Sequence, residues 1–288
     1  TGRFAGYAFV TASEGVSRLA IASLLVFAGV HIAGPYGLAI GLAPLIAALC
    51  GLVPARRVLS PGTPSPPSGL QSALSHLLGA SLLNQCLLMA SPLVVKVLGH
   101  RGDPATGRFL AAMVLVRVPL FLFNAILAAL LPHLTTMSTQ GRYEEFRSAT
   151  LRLATGVLAV SVILTLTAAF AGPEILALLF GQAYRLGAGD LAILAAGSGA
   201  YMLALTLGQA NVAKSAHHRA TMGWAIGTAG FVAMLGATAD LAVLRRVELA
   251  FCAGCVSAAI AMGMLLRPLL TPRQHFNVPV PHTPGWEA

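Results

Sequence analysis

Residues 115–132 read LVRVPLFLFNAILAALLP. The run is long and apolar enough to enter lipid, yet it carries Arg117, Asn124, Pro119 and Pro132. Only helices and closed barrels span a membrane, because every backbone polar group there must be satisfied within the protein. The run lacks the period-2 alternation of a barrel strand, so it predicts a transmembrane helix. Its polar residues then need a reason, since a cation at mid-membrane costs roughly 3 kcal/mol on insertion scales.

The rest of the chain agrees with that reading. Of its 288 residues 57% are hydrophobic and only 9% are charged, with a mean hydropathy of +0.80. A soluble domain carries roughly a quarter charged residues, so most of this surface faces lipid. The net charge of +9 shows no basic patch interleaved with aromatics, which sets nucleic acid aside. Loop charges account for it instead.

Apolar runs of about 20 residues match the hydrocarbon thickness. Eight are expected, near 6–30, 34–53, 70–98, 109–133, 149–171, 187–211, 221–239 and 248–267. The fold class is therefore an all-α integral membrane protein. Between the second and third runs, PARRVLSPGTPSPPSG (54–69) holds five prolines and reads as an extended linker. Residues 1–53 then form a two-helix piece and 70–270 a six-helix piece. The tail 271–288 has four prolines and no periodicity. Thr1 opens the chain without a signal-peptide pattern, which reads as a piece of a longer protein.

Loop cations orient the bundle. Arg56, Arg57, Arg142, Arg147, Lys214, Arg219 and Arg273 fall on one side, with Arg3, Arg152 and Arg267 at helix ends there. The opposite loops hold Arg101, Arg108, Arg185, Arg245 and Arg246, offset by Asp103, Glu174, Asp190, Asp240 and Glu248. The first side is the expected cytoplasmic one. In GPEILALLFGQAYRL (172–186), ILALLF is too short to span and Gly181 stops it. It predicts a short helix at the outer interface.

Several polar residues sit inside predicted spans. Arg117 lies roughly 12 Å along the fourth span at 1.5 Å per residue. Asn124 is two turns on, sharing a face with Phe121, Ala128 and Leu131. That stripe is expected to face protein or water. An Arg that only binds a neighbouring helix's carbonyls is the structural alternative. Glu14 and Arg18 are spaced to pair at i and i+4. Lys96 follows Pro92 near the end of the third span, within reach of the interface. Asn84 and Gln85 read as interhelical hydrogen-bond groups or cavity lining.

Other motifs carry less. Cys50, Cys86, Cys252 and Cys255 lie in apolar runs, so Cys252-Ala-Gly-Cys255 reads as buried small residues rather than a redox or zinc pair. His217 and His218 read as a solvated loop without further metal ligands. Gly223 and Gly227 form a G-x-x-x-G that predicts close helix packing. No P-loop, G-x-S-x-G or H-E-x-x-H motif is present, so no enzyme is expected.

Three stretches resemble the multidrug/oligosaccharidyl-lipid/polysaccharide exporter (MOP) superfamily, most of all its bacterial polysaccharide flippase branch. They are LLNQCLLMASPLVVKVLG with the following GRFLAAMVLVRVPLFLFNAILAALLPHLTTM, then STQGRYEEFRSATLR, and AGPEILALLFGQAYRLGAGDLAIL. The resemblance runs from residue 4 to about 270. It implies the last two helices of one lobe, a cytoplasmic linker and a complete second lobe, with four earlier spans outside this sequence. It also implies a multi-pass protein of the bacterial cytoplasmic membrane that flips a polyprenyl-pyrophosphate-linked oligosaccharide. Arg117 and Arg18 would contact the anionic headgroup, with Lys96, Asn124, Asn84 and Gln85 lining the cavity. Glu14 would balance Arg18 or couple to ion movement. No cofactor is implied beyond a coupling ion, H+ or Na+, or the membrane potential. The expected partners are lipid, the lipid-linked sugar and polymerase or glycosyltransferase enzymes, with the chain itself monomeric. The alternatives are a MATE-type cation antiporter, which would favour acidic cavity residues, and a non-transporting membrane scaffold.

Overall fold

The structure is a computed structural model that describes residues 2–55, 67–99 and 103–270. The described elements are all helical: α1 (Gly2–Phe27), α2 (Ala33–Ala55), α3 (Pro67–Leu98), α4 (Pro104–Thr139), α5 (Tyr143–Phe170), α6 (Gly172–Phe180), a 3-10 turn (Gln182–Tyr184), α7 (Ala188–Ala213), α8 (His217–Ala237) and α9 (Val243–Leu270). The protein is an all-α, multi-pass membrane protein by the length and apolarity of these helices. The chain divides into two compact units, Thr1–Pro66 and Pro67–Ala288. Most of the Pro-rich linker and the whole 271–288 tail fall outside the described residues.

Seven described helices are long and apolar enough to cross a membrane: α2, α3, α4, α5, α7, α8 and α9. The expected count was eight. The first expected span, 6–30, is helical as α1, and the side chains of its first turns lie outside the described residues. Within the first unit α1 packs on α2 alone. Ala39, Ala43 and Ala47 recur every fourth residue of α2 and are buried in that contact.

In the second unit α7 and α9 form the centre. The pairs α8–α9, α7–α9 and α5–α7 carry the broadest contacts, with α3 on α8 and α4 on α7. The predicted G-x-x-x-G lies at the α8–α9 seam. A Cβ at Gly223 would stand 2.5 Å from Met262 Sδ, and one at Gly227 would stand 2.6 Å from Ala258 Cβ. A side chain does not fit at Gly227, so glycine there sets the close approach of these two helices, while at Gly223 the Met262 side chain would have to give way.

The opening segment is helical but longer than expected. Asp103 caps α4 by accepting from the Ala105 N–H at 2.8 Å, with Pro104 at the first position. Pro132 does not close the helix, which runs on to Thr139. A proline removes one backbone donor. Beyond it the Thr135 and Thr136 hydroxyls donate back to the Leu131 and Pro132 carbonyls at 2.8 and 2.9 Å. Leu134 and Met137 are also buried there with Phe146, Ala210, Ala213 and Leu266. At the other end of the lobe, α6 stops as predicted at Gly181, whose φ of 97° favours glycine.

Candidate functional site

The buried stripe of α4 is Phe109, Met113, Val116, Leu120, Phe123 and Leu127, repeating every three to four residues. Arg117 flanks it, half-buried and turned into the lobe, with Tyr201 of α7 and Cys255 of α9 as its electrostatic neighbours. Its Nη2 donates to the Leu88 carbonyl of α3. That carbonyl has a particular need. Its normal helical donor would be the N–H of residue 92, which is Pro92 and has none. An orphaned carbonyl inside a membrane costs several kcal/mol, and a neighbouring helix supplies the missing proton. Arg117 is thus the donor that lets α3 carry a proline at depth. Its Nε, also buried, has no acceptor in the lobe.

One turn before Leu88, Asn84 Oδ1 accepts from the Tyr201 hydroxyl at 2.5 Å. Tyr201 is 2% exposed and its ring lies 5.5 Å from that of Trp224. Arg117, the Leu88 carbonyl, Asn84 and Tyr201 therefore make a polar cluster joining α3, α4 and α7 within otherwise apolar packing. Two hollows of about 520 and 210 Å3 open in the lobe, the larger lined by Leu158, Ser161, Gly199, Leu203 and Ile260, the smaller by Val116, Val118, Pro119 and Met202 next to this cluster, and both are almost wholly apolar.

The other predicted site residues do not join this cluster. Asn124 is exposed, as are Phe121 and Ala128, so the expected polar stripe on α4 turns outward beyond Arg117. The turn of a helix explains this: Arg117 and Asn124 sit at the edge of the buried stripe, not at its centre. Gln85 is exposed, and Lys96 is exposed in the last turn of α3. Glu14 and Arg18 pair on α1, Oε1 to Nη2 at 2.5 Å, with side chains 33% and 48% exposed.

Sequence reasoning missed Tyr201, whose hydroxyl is the one polar feature of AYMLALTLG (200–208) besides Thr206. It also placed Glu248 among the loop charges at the start of the last span. The structure puts Glu248 inside α9, fully buried, near Arg245 of α9 and Asp190 of α7. Arg245 Nη1 donates to Asp190 Oδ1 at 2.8 Å. Arg108 likewise lies within α4, and His217, His218 and Arg219 open α8 instead of forming a loop. No group of three or more metal-ligating side chains occurs among the described residues.

At the opposite end of the lobe from Glu248, Lys214 caps α7 and lies over two rings of α5. Its Nζ is 4.4 Å from the Tyr143 centroid and 4.3 Å from that of Phe146. Burial there lowers the Lys214 pKa below its ordinary value. Nearby Arg142, paired with Glu145, has its pKa raised by that hydrogen bond and charge.

No family model matches the chain, and no solved structure matches it. Among curated proteins it is 26% identical over 267 residues to the uncharacterized protein Rv1510 of Mycobacterium tuberculosis, covering 92% of this chain and 60% of that protein. It is 25% identical over 270 residues to the uncharacterized protein Mb3654 of Mycobacterium bovis, covering 93% of this chain and 61% of the relative. The chain thus spans about 60% of the length of the relatives it matches.

Proposed function

We propose that this chain is part of a membrane transporter of the MOP superfamily that flips a polyprenyl-pyrophosphate-linked oligosaccharide across the bacterial cytoplasmic membrane by alternating access. The observation that carries the reading is Arg117, a guanidinium turned into the lobe from the middle of a membrane-length helix. One edge is held by the Leu88 carbonyl, while the Nε–H finds no acceptor in the lobe. A guanidinium has five donors, so fixing one edge orients the rest for phosphate oxygens. Low dielectric around it strengthens that attraction. The likeness of sequence described above supplies the substrate class. A coupling ion, H+ or Na+, or the membrane potential would drive the cycle, with Asn84, Gln85, Lys96 and Asn124 as further cavity groups of this lobe. Polymerase and glycosyltransferase enzymes are the partners this role calls for.

A second reading is favoured by one bond. If the Leu88 carbonyl is all that Arg117 serves, the cluster is a brace within a membrane scaffold. The test is flipping of a polyprenyl-pyrophosphate sugar by the full-length protein in vesicles, with wild type, Arg117→Ala and Arg117→Lys. Transport predicts a loss of at least about tenfold in Arg117→Ala, the equivalent of about 1.4 kcal/mol, with partial rescue by lysine. Undiminished flipping by both variants sinks the cargo role. Export of cationic dyes without sugar flipping would replace it with the antiporter.

A further inference from the structure

The described part of the lobe holds one acid in an environment unlike that of any other. Glu248 is 0% exposed, and neither carboxylate oxygen accepts a hydrogen bond. The charged groups that act on it are Arg245, one turn earlier on α9, and Asp190 in the first turn of α7. Arg245 Nη1 lies 2.8 Å from Asp190 Oδ1 but 3.7 Å from Glu248 Oε2. The cation is therefore engaged by the half-exposed acid and stands off from the buried one.

Charge balance makes this arrangement informative. Two carboxylates and one guanidinium leave one negative charge over. A buried, unbonded carboxylate is among the most expensive groups a protein can hold, and it is neutralised by binding a proton. Among the other described charged groups at this end of the lobe, two are engaged by other partners. Arg246 donates to the Leu235 carbonyl of α8 at 2.6 Å, and Arg185 pairs with Glu174 of α6. Lys96 of α3 and Asp240 are exposed, and Arg108, whose buried Nε has no hydrogen-bond partner among the described residues, sits on α4, which touches α9 only slightly. From α5 no charged residue reaches this end, since its last turns are TLTAAF.

We propose that Asp190, Arg245 and Glu248 form a proton-binding latch between α7 and α9, closed while Glu248 carries the proton. In the closed state Arg245 bridges the two helices through Asp190. Release of the proton creates a buried carboxylate one helical turn from Arg245, which then competes with Asp190 for the same guanidinium. The proton leaves to solvent at this end of the lobe, the Arg245–Asp190 bridge weakens, and the start of α7 is freed from α9. This inference does not depend on the transport reading.

Infrared difference spectroscopy of the whole protein in lipid, titrated with pH, tests it directly. Wild type is expected to show the carbonyl stretch of a protonated carboxylic acid at neutral pH, and Glu248→Gln is expected to lose it. Arg245→Gln removes the competing cation and should move the midpoint of that band up by about one pH unit or more. Asp190→Asn frees Arg245 for Glu248 and should move it down. Absence of any such band in wild type at neutral pH overturns the proposal. So does a band whose midpoint neither Arg245→Gln nor Asp190→Asn shifts, which would make the proton private to one residue. The midpoints in those two variants carry the test even if Glu248→Gln fails to fold.

Discussion

Two polar clusters sit in one lobe and are built from different materials. At mid-helix depth, Arg117 is served by a carbonyl, and Asn84 by a tyrosine hydroxyl. At the end where α7 and α9 begin, Arg245 is served by carboxylates. The difference follows the cost of desolvating charge. Pairing a buried cation with a second full charge requires stripping water from both, and the Coulomb gain often fails to repay it. Near the surface that penalty falls, and ion pairs become affordable but weak. The lobe therefore uses dipoles in its interior and ions at its rim, with Glu248 as the exception that a bound proton resolves.

That contrast can be broken by substitution. The largest effect is expected from Arg117→Ala, which strands the Leu88 carbonyl and should destabilise the reconstituted protein by about 2–3 kcal/mol in denaturant unfolding. In a Pro92→Ala background residue 92 donates again, so the same substitution should cost less than half as much. Equal costs in both backgrounds would mean that Arg117 is not the proline's substitute donor. Arg245→Met comes next. A fully buried pair would lose about 3–5 kcal/mol, but Arg245 is 42% exposed. We expect about 1–2 kcal/mol after that discount for solvent. Tyr201→Phe leaves Asn84 without its donor and should cost about 0.6–1 kcal/mol, typical of interhelical bonds within membranes. Asn124→Leu is expected to change stability by less than about 0.5 kcal/mol, since the residue is exposed. A larger loss, read by the same unfolding assay, would place Asn124 in a contact that the described lobe does not contain.

Much of this architecture was legible because helices in lipid announce themselves by length and apolarity. The short α6, its stop at Gly181 and the tight G-x-x-x-G seam were equally local properties. So was the pairing of Glu14 with Arg18, one turn apart. What escaped was pairing across distance. Nothing in the sequence near Tyr201 names Asn84 as its acceptor, 117 positions away. The link from Pro92 to Arg117 needs the packing of α3 on α4 before it makes sense. Glu248 was read as a loop charge because RRVE (245–248) lowers the local hydropathy just where α9 begins. Averages over a window see the charges and not the direction in which one of them points.

The glycine seam has a further consequence, for the order of events in folding. Helices α8 and α9 are joined by residues 238–242 alone, so bringing them together closes a short loop at small entropic cost. Contacts such as Asn84–Tyr201, which span 117 positions, can only be rewarded after far more chain has been ordered. The α8–α9 hairpin is therefore expected to form early and to serve as the surface on which α3 and α7 assemble. Bulk added at Gly227 should slow refolding as well as weaken the product. Loss of the Tyr201 hydroxyl should act mainly on the rate of unfolding.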